Sequence, residues 1–176
     1  ATGQSALGHL LQQLAPAAGA GSVVDWTTVD PSAVPGVTWA TEKAQADKEG
    51  YSLVGTVELP PAPGGAQEEP AMEWEVRLAG TEKGYDRVLL AHFNRQDATT
   101  TDATTLLGQS DHTLRDVQRC EKEVTMGFTK HELTFPGKIP GWMRVEWSSG
   151  SEGLARWIEY GFDPRKGKQQ EECPAE

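Results

Sequence analysis

Two runs with a period of two flank Gly150 and Ser151 in the stretch 141–162, GWMRVEWSSGSEGLARWIEYGF. Glycine at the first central position is what a two-residue type II′ turn requires, so the stretch predicts a β-hairpin. Closing the turn there sets Trp147 opposite Leu154, Val145 opposite Arg156 and Met143 opposite Ile158 on one face. The other face then pairs Glu146 with Ala155, Arg144 with Trp157 and Trp142 with Glu159. Side chains alternate along a strand, so this register keeps both patterns intact, whereas a one-residue slip would exchange the faces. Met143, Val145, Trp147, Leu154 and Ile158 are expected to be core.

A different period rules the N-terminus. Leu7, Leu10, Leu11 and Leu14 take the i, i+3, i+4, i+7 positions of one helical face within 3–14, with Ser5 as N-cap. Pro16 ends that helix, and small residues follow up to position 22. An all-leucine stripe has to be buried, on its own domain or against another chain.

From 23 to 40 the pattern is irregular, with Trp26 and Trp39 as anchors, and 41–50 reads as a polar turn or short exposed helix. YSLVGTVEL (51–59) and MEWEVRL (72–78) alternate, and the second places Met72, Trp74, Val76 and Leu78 inward. Such alternation belongs to a sheet with one solvated face. RVLLAHF (87–93) is nearly all apolar and predicts a central strand, while the proline-rich 60–70 predicts a loop. HTLRDVQRC (112–120) suits a short helix with Asp111 as N-cap and Leu114 and Val117 inward. Two strands near 123–128 and 131–135 then lead into the hairpin.

The sum is a mainly β chain, with an α+β reading still open. It is an antiparallel sheet or sandwich of about six or seven strands, with the N-terminal amphipathic helix and one further short helix. It divides into a leucine-striped helix and linker (1–22), one β-rich domain (23–162) and a polar C-terminal tail (163–176).

Charge narrows the partners. The 176 residues carry a formal net charge of −10, which repels phosphate backbones and anionic lipid. Nucleic acid is therefore disfavoured, and a basic protein would be attracted at long range. No apolar run approaches membrane-spanning length. The two cysteines, Cys120 and Cys173, lack metal-ligand spacing and suit one disulfide that ties down the tail. Such a bond, with a chain numbered from Ala1, is the pattern expected of a processed export product, periplasmic or secreted.

Chemistry-bearing motifs are sparse. His9, His92, His112 and His131 stand alone, without HxH or HExxH spacing, so no metal or cofactor is expected. No serine lies in a GxSxG elbow, and Asp97, Asp102 and Asp111 match no calcium loop. The aromatic residues are more informative. In the predicted register Trp142 and Trp157 are diagonal neighbours, Arg144 faces Trp157, and Glu146 and Glu159 flank them, which makes these five the candidate binding patch. The second choice is the Thr/Asp-rich loop 94–111. These features point to a small acidic exported domain that binds another protein, as an inhibitor, an immunity-type factor or a subunit of an envelope or extracellular assembly. A carbohydrate-binding module that uses exposed tryptophans is the alternative, and an enzyme without a readable motif is the third.

Overall fold

The computed structural model describes residues 6–19, 21–29, 34, 36–40, 43–48, 50–59, 72–91, 107, 111–120, 126–148 and 157–169. The leucine stripe forms α1 (Ala6–Leu14). Ten strands follow: β1 (Val24–Asp25), β2 (Val37–Trp39), β3 (Gln45–Asp47), β4 (Gly50–Leu59), β5 (Met72–Thr81), β6 (Gly84–Ala91), β7 (Thr113–Cys120), β8 (Met126–Thr134), β9 (Gly141–Ser148) and β10 (Trp157–Gly161). A short helix, α2 (Pro164–Lys168), completes the described chain.

All the strands belong to one antiparallel sheet, in the order β2-β4-β5-β6-β10-β9-β8-β7. Two meanders, β4 to β6 and β7 to β10, join along β6 and β10, with Ile158 opposite Leu90 on one side and Val145 on the other. β3 adds to one end of β4, and β1 pairs with β6 at Tyr85 and Gly84, just past the end of β10.

Alternation decides which face is buried. Leu53 and Val57 of β4, Trp74, Val76 and Leu78 of β5, Val88 and Leu90 of β6, Met143 and Val145 of β9, and Ile158 and Tyr160 of β10 form one core cluster. Leu7, Leu10, Leu11 and Leu14 of α1 belong to the same cluster, so the stripe is buried on its own chain. β4 and β8 are five strand spacings apart, about 24 Å in a flat sheet. Leu53 and Leu133 nevertheless share this core with a single helix. The sheet therefore curls around α1.

The exit of α1 is tied down by polar contacts. The Tyr85 hydroxyl donates to the Leu14 carbonyl (2.8 Å), and the Lys138 ammonium donates to that of Ala15 (3.1 Å). Both satisfy carbonyls that a helix C-terminus leaves without partners, and Lys138 adds a cation at the negative end of the dipole. Burial pushes the Tyr85 phenol up to about 12 and raises the Tyr160 phenol as well. Both therefore stay neutral inside the fold.

Several expectations need correction. Among the described residues the sheet has ten strands rather than six or seven, because short strands form where 23–50 reads as irregular or turn. The stretch 112–120 holds β7 (Thr113–Cys120), not a helix. Val117 is the extra residue of a bulge between Asp116, opposite His131, and Gln118, opposite Lys130. β8 is one strand, Met126–Thr134, where two short ones were expected. The hairpin strands pair two residues away from the predicted register, with Trp157 opposite Glu146 and Glu159 opposite Arg144. An even shift leaves the faces unchanged, so Met143, Val145 and Ile158 are core as expected. The turn at Gly150 and Ser151, Leu154, and the side chain of Trp147 lie outside the described residues.

Candidate functional site

The outer face of the sheet holds the five residues of the predicted patch. Pairing lays them out in rows across the strands. One row runs Thr56, Glu75, Ala91, Trp157, Glu146, Phe128 and Cys120. The next runs Val54, Arg77, Leu89, Glu159, Arg144, Lys130 and Gln118. A third sets Arg87 beside Gly161, then Trp142 and Glu132.

These rows separate the two indoles. Trp142 stands opposite Gly161 and Trp157 opposite Glu146, so they are offset by four positions along the strands and are not diagonal neighbours. Arg144 faces Glu159 instead of Trp157. Its guanidinium lies over the Phe128 ring, 4.4 Å from the centroid, and pairs with the Glu146 carboxylate. Glu159 also approaches Arg87 at 3.9 Å. Arg144, Glu146, Trp157 and Glu159 are all half-buried, and their charges are fixed by neighbours within the sheet.

Trp142 has a different environment, with only 7% of its surface exposed. Its indole lies between two glycines, Gly161 below and Gly167 of α2 above, where any Cβ would overlap the ring system. Asp163 caps α2 by accepting from the Arg165 backbone N–H at 3.0 Å, and the Arg165 side chain bonded to it lowers its pKa. Lys166 reaches Asp86 at 3.8 Å, which ties α2 to β6. Lys130, 2% exposed, donates to the Gln169 carbonyl at 3.1 Å and sits 5.7 Å from the Trp142 ring centroid. That carbonyl and ring offset part of the cost of burying an ammonium. A cleft of about 280 Å³ beside α2 is lined by charges of both signs, among them Arg87, Lys130, Glu159 and Lys166. The residues read as a polar tail thus begin with a helix that covers one of the two predicted anchors.

One polar trio lies on the inner face. His131 is 8% exposed; its Nδ1 lies 2.8 Å from Asp116 Oδ1 and its Nε2 3.1 Å from Thr129 Oγ1. The order hydroxyl–imidazole–carboxylate is that of an activated nucleophile. Thr129, however, is only 5% exposed, and neither described cleft touches it. The trio satisfies a buried imidazole. The pairing of Asp116 with His131 depends on the β7 bulge, which no sequence pattern announces.

Cys120 ends β7 on the outer face at 2% exposure, and no free cysteine occurs among the described residues. Cys173 lies outside them, as does the loop 94–111 apart from Leu107 and Asp111. Leu107 is fully buried and belongs to the core cluster. Among the described residues no group of three or more His, Cys, Asp or Glu side chains could hold a metal, and no helix is long and apolar enough to cross a membrane.

Comparison with known proteins finds no matching family model, no matching curated protein and no matching solved structure.

Proposed function

We propose that this chain is a small acidic protein-binding domain that grips a basic partner through the outer face of its sheet. The observation that supports this reading is the composition of that face. On β4, β5, β6 and β10 it presents Glu58, Glu73, Glu75, Asp86 and Glu159 against Arg77 and Arg87. Half-buried Trp157 lies in the same surface, two strands from Glu75. A rigid aromatic residue among oriented charges is the usual form of an interface anchor, and an acidic excess steers a basic partner. Trp142, beneath α2, belongs to the scaffold of this surface, so the anchor is Trp157. The role that fits is an inhibitor, an immunity-type factor or a subunit of an envelope or extracellular assembly.

The test is capture of partners from native envelope and secreted fractions, followed by association kinetics with the purified partner. Trp157→Ala should speed dissociation at least about tenfold, and Glu58→Lys with Glu73→Lys should slow association, more so at low salt. A basic partner bound equally well by all three forms would place the interface elsewhere. If every captured partner is acidic, the steering argument fails.

Export belongs to the same proposal, and with it a Cys120–Cys173 bridge. The chain has only these two cysteines, and the buried Cys120 is not a free thiol. Alkylation of protein from its native compartment, with and without reductant, should add label only after reduction. Two thiols labelled without reductant would remove both the bridge and the export argument.

A further inference from the structure

The outer face carries opposite charges at opposite corners. At one corner Glu58 of β4 and Glu73 of β5 stand directly across from each other, and both are exposed. Like charges so placed repel, and among the described residues no cation pairs with either carboxylate. At the other corner α2 sits over Trp142 and presents Arg165, Lys166 and Lys168 to solvent. Each of these cations has a partner in the chain: Asp163 at 3.2 Å, Asp86 at 3.8 Å and Glu132 at 4.0 Å respectively. The two lysine pairs are long and solvated, so they hold their ammonium groups weakly and leave them open to a further anion.

Strand pairing fixes the distance between the corners. Ala79 of β5 shares a row with Arg87, Gly161 and Trp142, and Glu73 lies six positions before Ala79. β5 and β9 are three strand spacings apart. Glu73 and Trp142 are therefore about 14 Å apart across the strands and about 20 Å along them, a diagonal of about 25 Å in a flat sheet. The midpoint of that diagonal falls among Leu89 and Ala91 of β6 and Trp157 and Glu159 of β10. Leu89 and Trp157 are half-buried, so an apolar centre lies between two corners of opposite charge.

We infer that this face closes on a second copy of the chain, through a two-fold axis that crosses the midpoint in the plane of contact, at right angles to the diagonal. Such an axis brings each corner of one protomer onto the opposite corner of its partner. The Glu58–Glu73 pair then meets the cations of the other protomer's α2, and this contact is made twice. On the flat lattice Leu89 and Trp157 both lie within about 2 Å of the axis, so each packs against its own counterpart, while Glu159 faces Ala91. The pairs Arg77–Glu75 and Arg144–Glu146 reach the axis on either side as neutral units.

Curvature suits the same arrangement. Two convex sheets touch along a strip and part toward their corners, and α2, raised above the sheet, spans that gap at each end. The net charge of −10 opposes association at long range, but at about 0.1 M salt its field decays over about 10 Å. Contact limited to the centre and two corners makes a weak dimer, half formed between about 20 and 500 µM. The dimer needs no basic partner, and a monomeric protein that captures one would leave the proposed function standing.

The test is sedimentation of the full chain from about 5 µM to about 1 mM in about 0.1 M salt. The average mass should climb from one chain to two and stop there. Glu58→Lys with Glu73→Lys should weaken dimerisation at least tenfold, because like-charged corners then meet twice, and Arg165→Glu with Lys168→Glu should do the same. All four positions are exposed, so both double variants should keep thermal midpoints close to the parent's at about 5 µM. One double variant has two positive corners and the other two negative ones. Mixed together, they should form a heterodimer at least tenfold tighter than either homodimer. Both remain net negative, so bulk charge cannot draw them together. Trp157→Ala should weaken the parent dimer at least threefold. A single-chain mass at about 1 mM, growth beyond two chains, or a mixture that associates no better than its components would each overturn the inference.

Discussion

Replacing Leu11 by alanine is expected to lower the unfolding free energy by about 2–5 kcal/mol, in the range found when a fully buried leucine leaves a cavity. A nine-residue helix has little stability of its own in water, so α1 persists because its stripe fills the concave side of the sheet. Leu11 is completely buried, whereas His9 and Gln13 on the same helix face solvent. His9→Ala and Gln13→Ala should therefore change stability by no more than about 0.5 kcal/mol. Urea unfolding of the three variants checks the contrast. A loss below about 0.5 kcal/mol for Leu11→Ala would mean that the helix is an appendage whose stripe serves another chain. The same helix also closes one route to a partner, since leucines that hold the sheet together are not available for docking.

Local periods identified much of this fold. The leucine spacing of α1, the alternation of β5 and the two faces of the β9–β10 hairpin can all be read from residue order, because each reflects a constant side-chain period. Breaks in those periods hid the rest. At β7 a bulge places Leu114 and Val117 three apart, which imitates a helical turn inside a strand. At β6 the bulge beside Ala79 and Gly80 skips Asp86, so Tyr85 and Val88 share the core face although they stand three positions apart. The hairpin register is a subtler case. A shift of two residues keeps every side chain on its own face, so the pattern determines the faces but not the partners. The candidate patch changed for that reason, as Trp142 and Trp157 fell apart along the strands. Coverage of Trp142 could not be read either, because the covering element is a five-residue helix within a segment that is polar in composition. Its one sequence signal is Asp163-Pro164, an N-cap followed by proline at the first helical position.

The second large effect expected is at Gly161, and it decides which of the two indoles is structural. A Cβ there would sit 2.6 Å from Trp142 Nε1 and closer still to Cε2 and Cζ2, while one at Gly167 would lie 2.7 Å from Trp142 Cγ. The indole is a rigid plate with glycine on both sides and cannot move without lifting α2. Gly161→Ala should therefore cost about 1–3 kcal/mol, as overpacking of a filled site does. It should also release the Gln169 carbonyl from Lys130. Undocked α2 exposes the bonds after Arg165, Lys166 and Lys168, so trypsin should remove the C-terminus faster than in the parent protein. If the clash with Trp142 is the cause, Trp142→Leu should relieve it, and the double variant should be more stable than the sum of the single changes predicts by about 1 kcal/mol or more. Trp157→Ala, at a half-exposed position with no such sandwich, should leave both the thermal midpoint and the trypsin pattern close to those of the parent. Equal losses from Trp142→Ala and Trp157→Ala would refute this division of roles. Additive behaviour of Gly161→Ala and Trp142→Leu would show that the strain lies in the backbone of β10 and not in the contact with the ring.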